Sequence, residues 1–161
     1  MIELATEDRR GPGALAFAAP VFSQLYDRLK ALPLLPGQGG WAVGDVTRGN
    51  DSQTADLADG LTDLAYPLSG HNQVPAQAVD FWPYDDTQAQ AVIGNVDYFG
   101  YRLLEQEAQA LGLETGRAWG DGGHVVVPSY DVPELQDPQP SRARGGLLLL
   151  LAAIAIAVSQ K

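Results

Sequence analysis

The chain has 161 residues, of which 20 are acidic and 10 basic, and it contains no cysteine. This length predicts one domain that buries a core of its own, and the lack of cysteine excludes disulfides, thiolate metal ligands and cysteine nucleophiles. All 20 acidic side chains precede residue 141, and such an acidic body argues against a nucleic-acid partner because phosphate binding requires Lys and Arg. Residues 1–10 have no apolar run behind a basic segment, so we expect no secretory signal peptide.

The first half of the chain predicts two helices with a strand between them. Pro20 is well placed to begin a helix, and apolar residues at helical spacing continue it as far as Pro33. Residues 41–46 predict a short strand. Ser52 is a candidate cap for a second helix that reaches Ala65.

The second half predicts a strand, a helix and a strand in that order. We expect a buried strand over residues 78–82, a long helix over 87–111 and a final strand over 124–127. Gly112 is placed to end the helix. Because helices and short strands follow one another without the regular alternation of a doubly wound sheet, an α+β domain fits best.

Composition divides the chain into three zones. Residues 1–131 form the predicted domain, and 132–144 are rich in Pro and polar residues, which is typical of a linker. Residues 145–161 contain the unbroken apolar run 147–158 and predict an apolar C-terminal helix. The run has no polar face, which favours a membrane anchor, although packing against a protein partner is the alternative. As a helix, residues 145–158 would be about 21 Å long, which is short for a hydrocarbon core of about 30 Å, and the orientation of this segment stays open.

Two histidines with nearby carboxylates are the candidate metal ligands. Asp80 follows His71 along the chain, and Asp121 lies three residues before His124. A catalytic zinc ion takes three protein ligands and leaves one position for water, and His71, Asp80 and His124 could supply those ligands. Asp121 could then accept the proton of the water. A surface pair of His and Asp is the alternative that spacing alone leaves open.

The stretch around the first histidine resembles a family signature. Residues 69–80 read SGHNQVPAQAVD, with Ser69 before His71 and an Ala-Val pair before Asp80. This stretch is similar to the signature of the D-alanyl-D-alanine carboxypeptidase and L-alanyl-D-glutamate endopeptidase family, in the form that its phage endolysin branch carries. The stretch contains two of the predicted metal ligands, His71 near its start and Asp80 at its end.

Two more parts of the family pattern match in the right order. Members carry a later His with an acidic residue three positions before it, as Asp121 and His124 do. They also carry an Arg and a Gln five residues apart ahead of the first His, which Arg48 and Gln53 match. The resemblance therefore covers about residues 41–128.

The resemblance implies a zinc peptidase that hydrolyses stem or cross-bridge peptides of bacterial peptidoglycan. It implies a phage lytic enzyme, an endolysin or a virion-associated lysin, that acts in the host periplasm or cell wall. It leaves open which peptide bond is cut. The implied roles are zinc ligands His71, Asp80 and His124, catalytic residues Asp121 and Arg48, and substrate-binding residues Arg48, Gln53 and Ser69. The implied fold is a small antiparallel sheet flanked by helices around the zinc site.

Departures from the family pattern keep a second function open. Residues 125–127 are valines where the family often has an aromatic residue and Glu, and Asp121 stands where Glu is common. Together with the apolar tail, these departures suggest an alternative, a tail-anchored virion or membrane structural protein on a degenerate peptidase scaffold. The aromatic residues Trp82, Tyr84 and Trp119 could line a substrate groove or pack around the site.

Overall fold

In the structure, a computed structural model, residues 3–128 are described. The predictions of a linker over 132–144 and of an apolar helix or membrane anchor over 145–161 lie outside the described residues. Between residues 3 and 128, no helix is both long enough and apolar enough to cross a bilayer.

Short strands and three α-helices make up the described part of the chain. The helices are α1 (Pro20–Ala31), α2 (Asn50–Ala58) and α3 (Phe99–Gln109). The strands are β1 (Glu3–Leu4), β2 (Arg9–Arg10), β3 (Gln38–Val43), β4 (Asp45–Thr47), β5 (Gln73–Val74), β6 (Ala78–Asp85), β7 (Gln90–Ala91), β8 (Glu114–Thr115) and β9 (His124–Val126). Short 3-10 helices span Pro12–Phe17, Gly70–Asn72 and Gly116–Trp119.

The largest sheet is antiparallel and has five strands. Its order is β3-β6-β9-β8, and β7 also pairs with β6. Two smaller antiparallel pairs, β1 with β5 and β2 with β4, attach the N-terminal segment to the rest of the domain. The prediction of an α+β fold with a small antiparallel sheet flanked by helices is confirmed.

The central strand β6 has one face against the helices and one face away from them. Val79 and Phe81 are fully buried, and they belong to the core together with apolar residues of α1 and α3. The helix residues of this core are Phe22, Leu25, Leu29, Tyr101, Leu104 and Ala108. Burial of each Leu or Phe contributes about 1.5–3 kcal/mol, so this face carries most of the packing energy of the sheet. Because side chains alternate along a strand, Asp80 lies on the opposite face.

The predicted helix over 87–111 is wrong in its first half. The Asp85 carboxylate accepts hydrogen bonds from the backbone N–H of Thr87 at 2.9 Å and of Gln88 at 3.2 Å. These bonds form a tight turn that returns the chain as β7, and the helix begins only at Phe99. Asp side chains commonly stabilise such turns, and this local chemistry overrides the apolar spacing.

The predicted cap and the first predicted strand also need correction. Ser52 lies inside α2, and the N-cap position belongs to Gly49, whose N–H donates to the Asp8 carboxylate at 2.9 Å. The helix ends at Ala58, well before Ala65. The strand predicted over 41–46 is divided into β3 and β4 at Gly44, whose N–H donates to the Asp80 carbonyl at 2.8 Å.

Candidate metal centre

Strand pairing brings the second and third predicted ligands together. Asp80 on β6 lies directly opposite His124 on β9. Directly opposed residues of an antiparallel pair point to the same face of the sheet, with Cβ atoms about 4.5–5.5 Å apart. His124 Nδ1 lies 3.2 Å from Asp80 Oδ1. The register of two strands therefore places these two groups, although 43 residues separate them along the chain.

A short 3-10 helix carries His71 onto the same face. Ser69 caps this helix, with its hydroxyl oxygen accepting from the His71 N–H at 3.3 Å and its own N–H donating to the Asn72 side chain at 3.1 Å. Gly70 allows the close approach, because a Cβ there would lie 2.8 Å from the Cβ of Ala78. The loop thus rests against the start of β6, two residues from Asp80.

The three predicted ligand atoms form a nearly equilateral triangle. His71 Nε2 lies 3.3 Å from His124 Nδ1 and 3.4 Å from Asp80 Oδ1, and the third side measures 3.2 Å. Zinc–ligand bonds of about 2.0–2.1 Å at tetrahedral angles place neighbouring ligand atoms about 3.3 Å apart. The donor set of two imidazoles and one carboxylate also suits zinc, so the residues fit the ion.

A backbone carbonyl orients the His71 ring beside this triangle. Its Nδ1 lies 3.2 Å from the carbonyl oxygen of Val46, which can only accept, so Nδ1 carries a proton. A neutral ring then presents the Nε2 lone pair toward Asp80 and can bind a metal ion there, whereas a protonated ring donates to the Asp80 carboxylate at 3.4 Å instead. A carbonyl that orients a ligating histidine in this way is common at metal sites.

Asp80 remains ionised in this setting. Burial disfavours its charged form, but the charge of His71 and the hydrogen bonds from His124 and His71 outweigh that effect and hold the pKa of Asp80 well below its usual range. The carboxylate is therefore available as an anionic ligand.

Asp121 is placed as a candidate base beside the triangle. Its carboxylate accepts from the backbone N–H of His124 at 3.3 Å. Asp121 as a whole is an exposed residue, but its carboxyl group is largely surrounded by protein. This burial and the negative charge of Asp80 raise the pKa of Asp121, and the charge of His124 partly opposes them. A carboxylate with a raised pKa is a better proton acceptor than an unperturbed one.

Two glycines fix the turn that joins Asp121 to His124. A Cβ at Gly122 would lie 2.8 Å from the ring of Tyr101, which is fully buried, and a Cβ at Gly123 would lie 2.5 Å from the Trp82 indole. The turn therefore packs closely on Tyr101 and Trp82, and it joins the predicted base to the third predicted ligand.

The buried side-chain amides of Asn72 and Gln53 support the loop that carries His71. Asn72 and Gln53 are completely buried. The Asn72 side-chain NH2 donates to the Arg48 carbonyl at 2.8 Å and to the Gln53 amide oxygen at 3.4 Å, and Gln53 donates to the Leu64 carbonyl at 2.6 Å. These contacts favour a positioning role for Gln53, and the cap interaction favours the same role for Ser69. That Gln53 and Ser69 also bind substrate stays a prediction.

Replacing Asn72 with Ala should weaken both the fold and the metal site. The substitution removes the partners of the Ser69 N–H and the Arg48 carbonyl, and leaving buried polar groups unpaired costs about 1–3 kcal/mol. Loss of support around a ligand typically reduces metal affinity about 10–100-fold. Urea unfolding of the metal-free protein and chelator competition for zinc measure the two effects. Asn95→Ala, at an exposed position, is the control, and equal values for both variants would contradict the positioning role.

Arg48 is bound to carboxylates of its own neighbourhood. Its guanidinium lies 3.0 Å from Asp45 Oδ2 and 3.3 Å from Asp56 Oδ2, and its side chain is 15% exposed. Its backbone N–H donates to the His71 carbonyl at 2.9 Å. The structure therefore ties Arg48 to the His71 loop through the backbone, while the charged end pairs with two aspartates.

Sequence reasoning missed the backbone carbonyl of Val46 and the amide of Asn72. A carbonyl acceptor leaves no trace in the sequence, because any residue type supplies one. Asn72 did carry a signal, since it follows His71 inside the motif. The prediction for the Trp119 side chain lies outside the described part of the structure.

The fold has a counterpart among solved structures. The chain is similar to the L-Ala D-Glu endopeptidase ChiX of Serratia marcescens, with a TM-score of 0.52 and 19% sequence identity. The alignment covers 76% of this chain and 90% of that one, and at this identity it shows a shared fold. No family model and no curated protein sequence matches the chain. The described residues therefore form an α+β domain that shares its fold with that endopeptidase and carries a candidate metal centre.

Proposed function

We propose that the chain is a zinc-dependent peptidase that hydrolyses peptide bonds in the stem or cross-bridge peptides of bacterial peptidoglycan. The observation that carries the proposal is the triangle of His71 Nε2, Asp80 Oδ1 and His124 Nδ1, with sides of 3.2–3.4 Å. The fold shared with an L-Ala D-Glu endopeptidase supports the substrate class. The same likeness favours cleavage between L-alanine and D-glutamate over cleavage between two D-alanines.

Each residue of the candidate site has a separate role in the proposed hydrolysis. His71, Asp80 and His124 would hold a zinc ion, which would supply Lewis-acid activation of water and of a carbonyl group. Asp121 accepts the proton of the attacking water and later delivers it to the amine that leaves, so hydrolysis adds one water across the amide bond. Asp80 is the anionic ligand of the set. The Val46 carbonyl accepts from Nδ1 of His71, which leaves Nε2 of that ring for the metal.

Arg48 has a narrower role in this proposal than the resemblance implies. Its backbone holds the His71 loop, and Gln53 and Ser69 hold the same loop through Asn72 and the helix cap. A substrate carboxylate or a developing oxyanion would compete with these two aspartates for the charge of the guanidinium, whose Nε has no hydrogen-bond partner among the described residues. We retain Arg48 as a substrate-binding candidate in this sense.

The cellular role is also a proposal. The resemblance of residues 69–80 supports a phage lytic enzyme, either an endolysin or a virion-associated lysin, acting in the host periplasm or cell wall. The apolar segment 147–158 supports attachment to a membrane or to a protein partner. The alternative of a structural protein on a degenerate scaffold has less support, because the valines at 125 and 126 are fully buried sheet residues next to the three candidate ligands.

Removing the metal should abolish hydrolysis, and restoring zinc should recover it. The full chain is incubated with purified cell wall and with defined stem peptides, with and without 1,10-phenanthroline, and mass spectrometry identifies the new termini. The isomer 1,7-phenanthroline, which cannot chelate, controls for non-specific effects. Hydrolysis that persists after metal removal would exclude the mechanism, and a zinc-loaded chain that cuts no peptide would favour the structural alternative.

A further inference from the structure

The face of β6 that carries Asp80 also carries two aromatic residues. Phe81 and Pro83 are buried on the helix side, whereas Trp82 and Tyr84 are only partly buried. Alternation along the strand places Trp82 and Tyr84 on the same face as Asp80, two and four residues beyond it. An aromatic row therefore leads away from the ligand triangle along one strand.

Glycines on neighbouring strands let the aromatic rings lie close to the sheet. A Cβ at Gly123, next to the ligand His124, would lie 2.5 Å from Trp82 Cδ1, and a Cβ at Gly44 would lie 2.6 Å from Trp82 Cη2. The indole thus spans from β9 to the end of β3, directly beside the metal centre. Tyr84 packs in the same manner on Gly39, where a Cβ would lie 2.5 Å from its ring.

Small residues of β3 flank this row on the same face. Ala42 lies directly opposite Trp82, and Gly40 lies directly opposite Tyr84. The two rings are therefore the bulky groups on this part of the sheet face, and the row that they form begins two residues beyond Asp80. From Asp80 to Tyr84 the strand rises about 13 Å, which an extended peptide of about four residues also spans.

We propose that Trp82, extended by Tyr84, is the platform on which the peptide substrate lies and thus determines specificity at this site. The inference rests on the proposed function, because it places the scissile amide at the ligand triangle. An uncharged, partly exposed ring presents a flat surface to peptide planes and to small side chains such as the methyl group of alanine. Because the aromatic row continues from the candidate ligand Asp80 along one strand, we take an extended peptide as its occupant. A sugar ring is the competing occupant that the test separates.

The test compares Trp82→Leu and Trp82→Ala with Trp41→Phe in the zinc-loaded full chain. Trp41 lies on the adjacent strand opposite Pro83, on the helix side of the sheet, so it is a matched control. NMR titration with a stem tetrapeptide measures binding, and steady-state kinetics measures KM and kcat. Zinc content and the thermal midpoint verify that each variant is folded and loaded, and Trp82→Leu keeps apolar bulk if the Ala variant unfolds.

Loss of the indole should raise the peptide Kd and KM about 10-fold, which corresponds to about 1.4 kcal/mol. The value of kcat should change less than about 3-fold, and the zinc content should not change. Trp41→Phe should leave KM unchanged. The proposal is overturned if Trp82→Leu binds and turns over peptide as the unaltered chain does, if the unaltered chain binds no peptide, or if the effect appears only with disaccharide-bearing peptides. Peptide binding that depends on Trp82 without hydrolysis in any variant would support the platform and refute the proposed peptidase function.

Discussion

Replacing His124 with Ala is expected to remove the metal and reduce hydrolysis at least about 10³-fold. The substitution deletes one corner of a triangle whose sides measure 3.2–3.4 Å, and two remaining ligands are too few for a catalytic zinc site. Loss of a single oxyanion donor already costs about 10²–10³ in rate in other enzymes, and the metal is expected to supply more stabilisation than one donor. Zinc content should fall from one ion per chain to near zero.

The variant is suited to this experiment because His124 is only partly buried. His71 is fully buried and forms a hydrogen bond to the Val46 carbonyl, so its replacement would also destabilise the fold. Asp80→Asn is a second variant that keeps the shape of the ligand set and removes its negative charge. Atomic absorption gives the zinc content, and circular dichroism verifies that each variant folds.

The result separates a metal centre from a hydrogen-bonded histidine pair. A pair of imidazoles and a carboxylate at these distances could also share protons, and such a cluster would bind no zinc in the unaltered chain. In that case His124→Ala would change stability but not zinc content. A variant that keeps one zinc ion and full hydrolysis would refute the assignment of His124 as a ligand.

The three candidate ligands could be chosen from the sequence, but their convergence in space could not. His71, Asp80 and His124 stand out because the chain has only two histidines and both lie near carboxylates inside a familiar motif. Their convergence depends on the pairing of Asp80 with His124 across two strands, and a one-residue slip would turn His124 to the other face. Register is a property of long-range packing, here of the valines of β9 against β6, and local patterns do not encode it.

The errors in the helices have a common physical origin. The apolar spacing over 87–111 fits a helix, but the Asp85 carboxylate binds two backbone N–H groups and forms a turn instead. Ser52 looks like a cap, but Asp8, more than 40 residues earlier, accepts from the Gly49 N–H at the start of α2. In both places an aspartate side chain accepts hydrogen bonds from backbone N–H groups, and the local sequence pattern does not predict these bonds.

Gln53 shows that a match to a sequence pattern leaves the role of a residue open. The match of Arg48 and Gln53 to the family pattern favoured contact with substrate. In the structure the Gln53 amide is fully buried between Asn72 and the Leu64 carbonyl. A sequence pattern reports that a residue type is needed at a position, and only the contacts show whether it serves the ligand or the loop that carries a ligand.

Replacing Asp121 with Asn is expected to reduce kcat about 10²–10⁴-fold, the range that general acid–base catalysis contributes, while zinc content stays unchanged. The amide keeps the size of the carboxyl group and can still accept the bond from the His124 N–H, so the turn through Gly122 and Gly123 should persist. It cannot accept a proton from water. The effect should therefore appear in kcat, with little change in peptide binding.

Two further variants make this result specific. Asp27→Asn removes a carboxylate from an exposed side chain on α1, far along the chain from the site, and should leave both kcat and zinc content unchanged. Asp121→Glu restores the carboxylate on a longer side chain and should recover part of the lost rate, since the reaction needs a proton acceptor more than a fixed side-chain length. The base assignment fails if Asp121→Asn retains full kcat. Loss of zinc from the same variant would instead make Asp121 a part of the ligand set, because the carboxylate would then be holding the ion and not the proton.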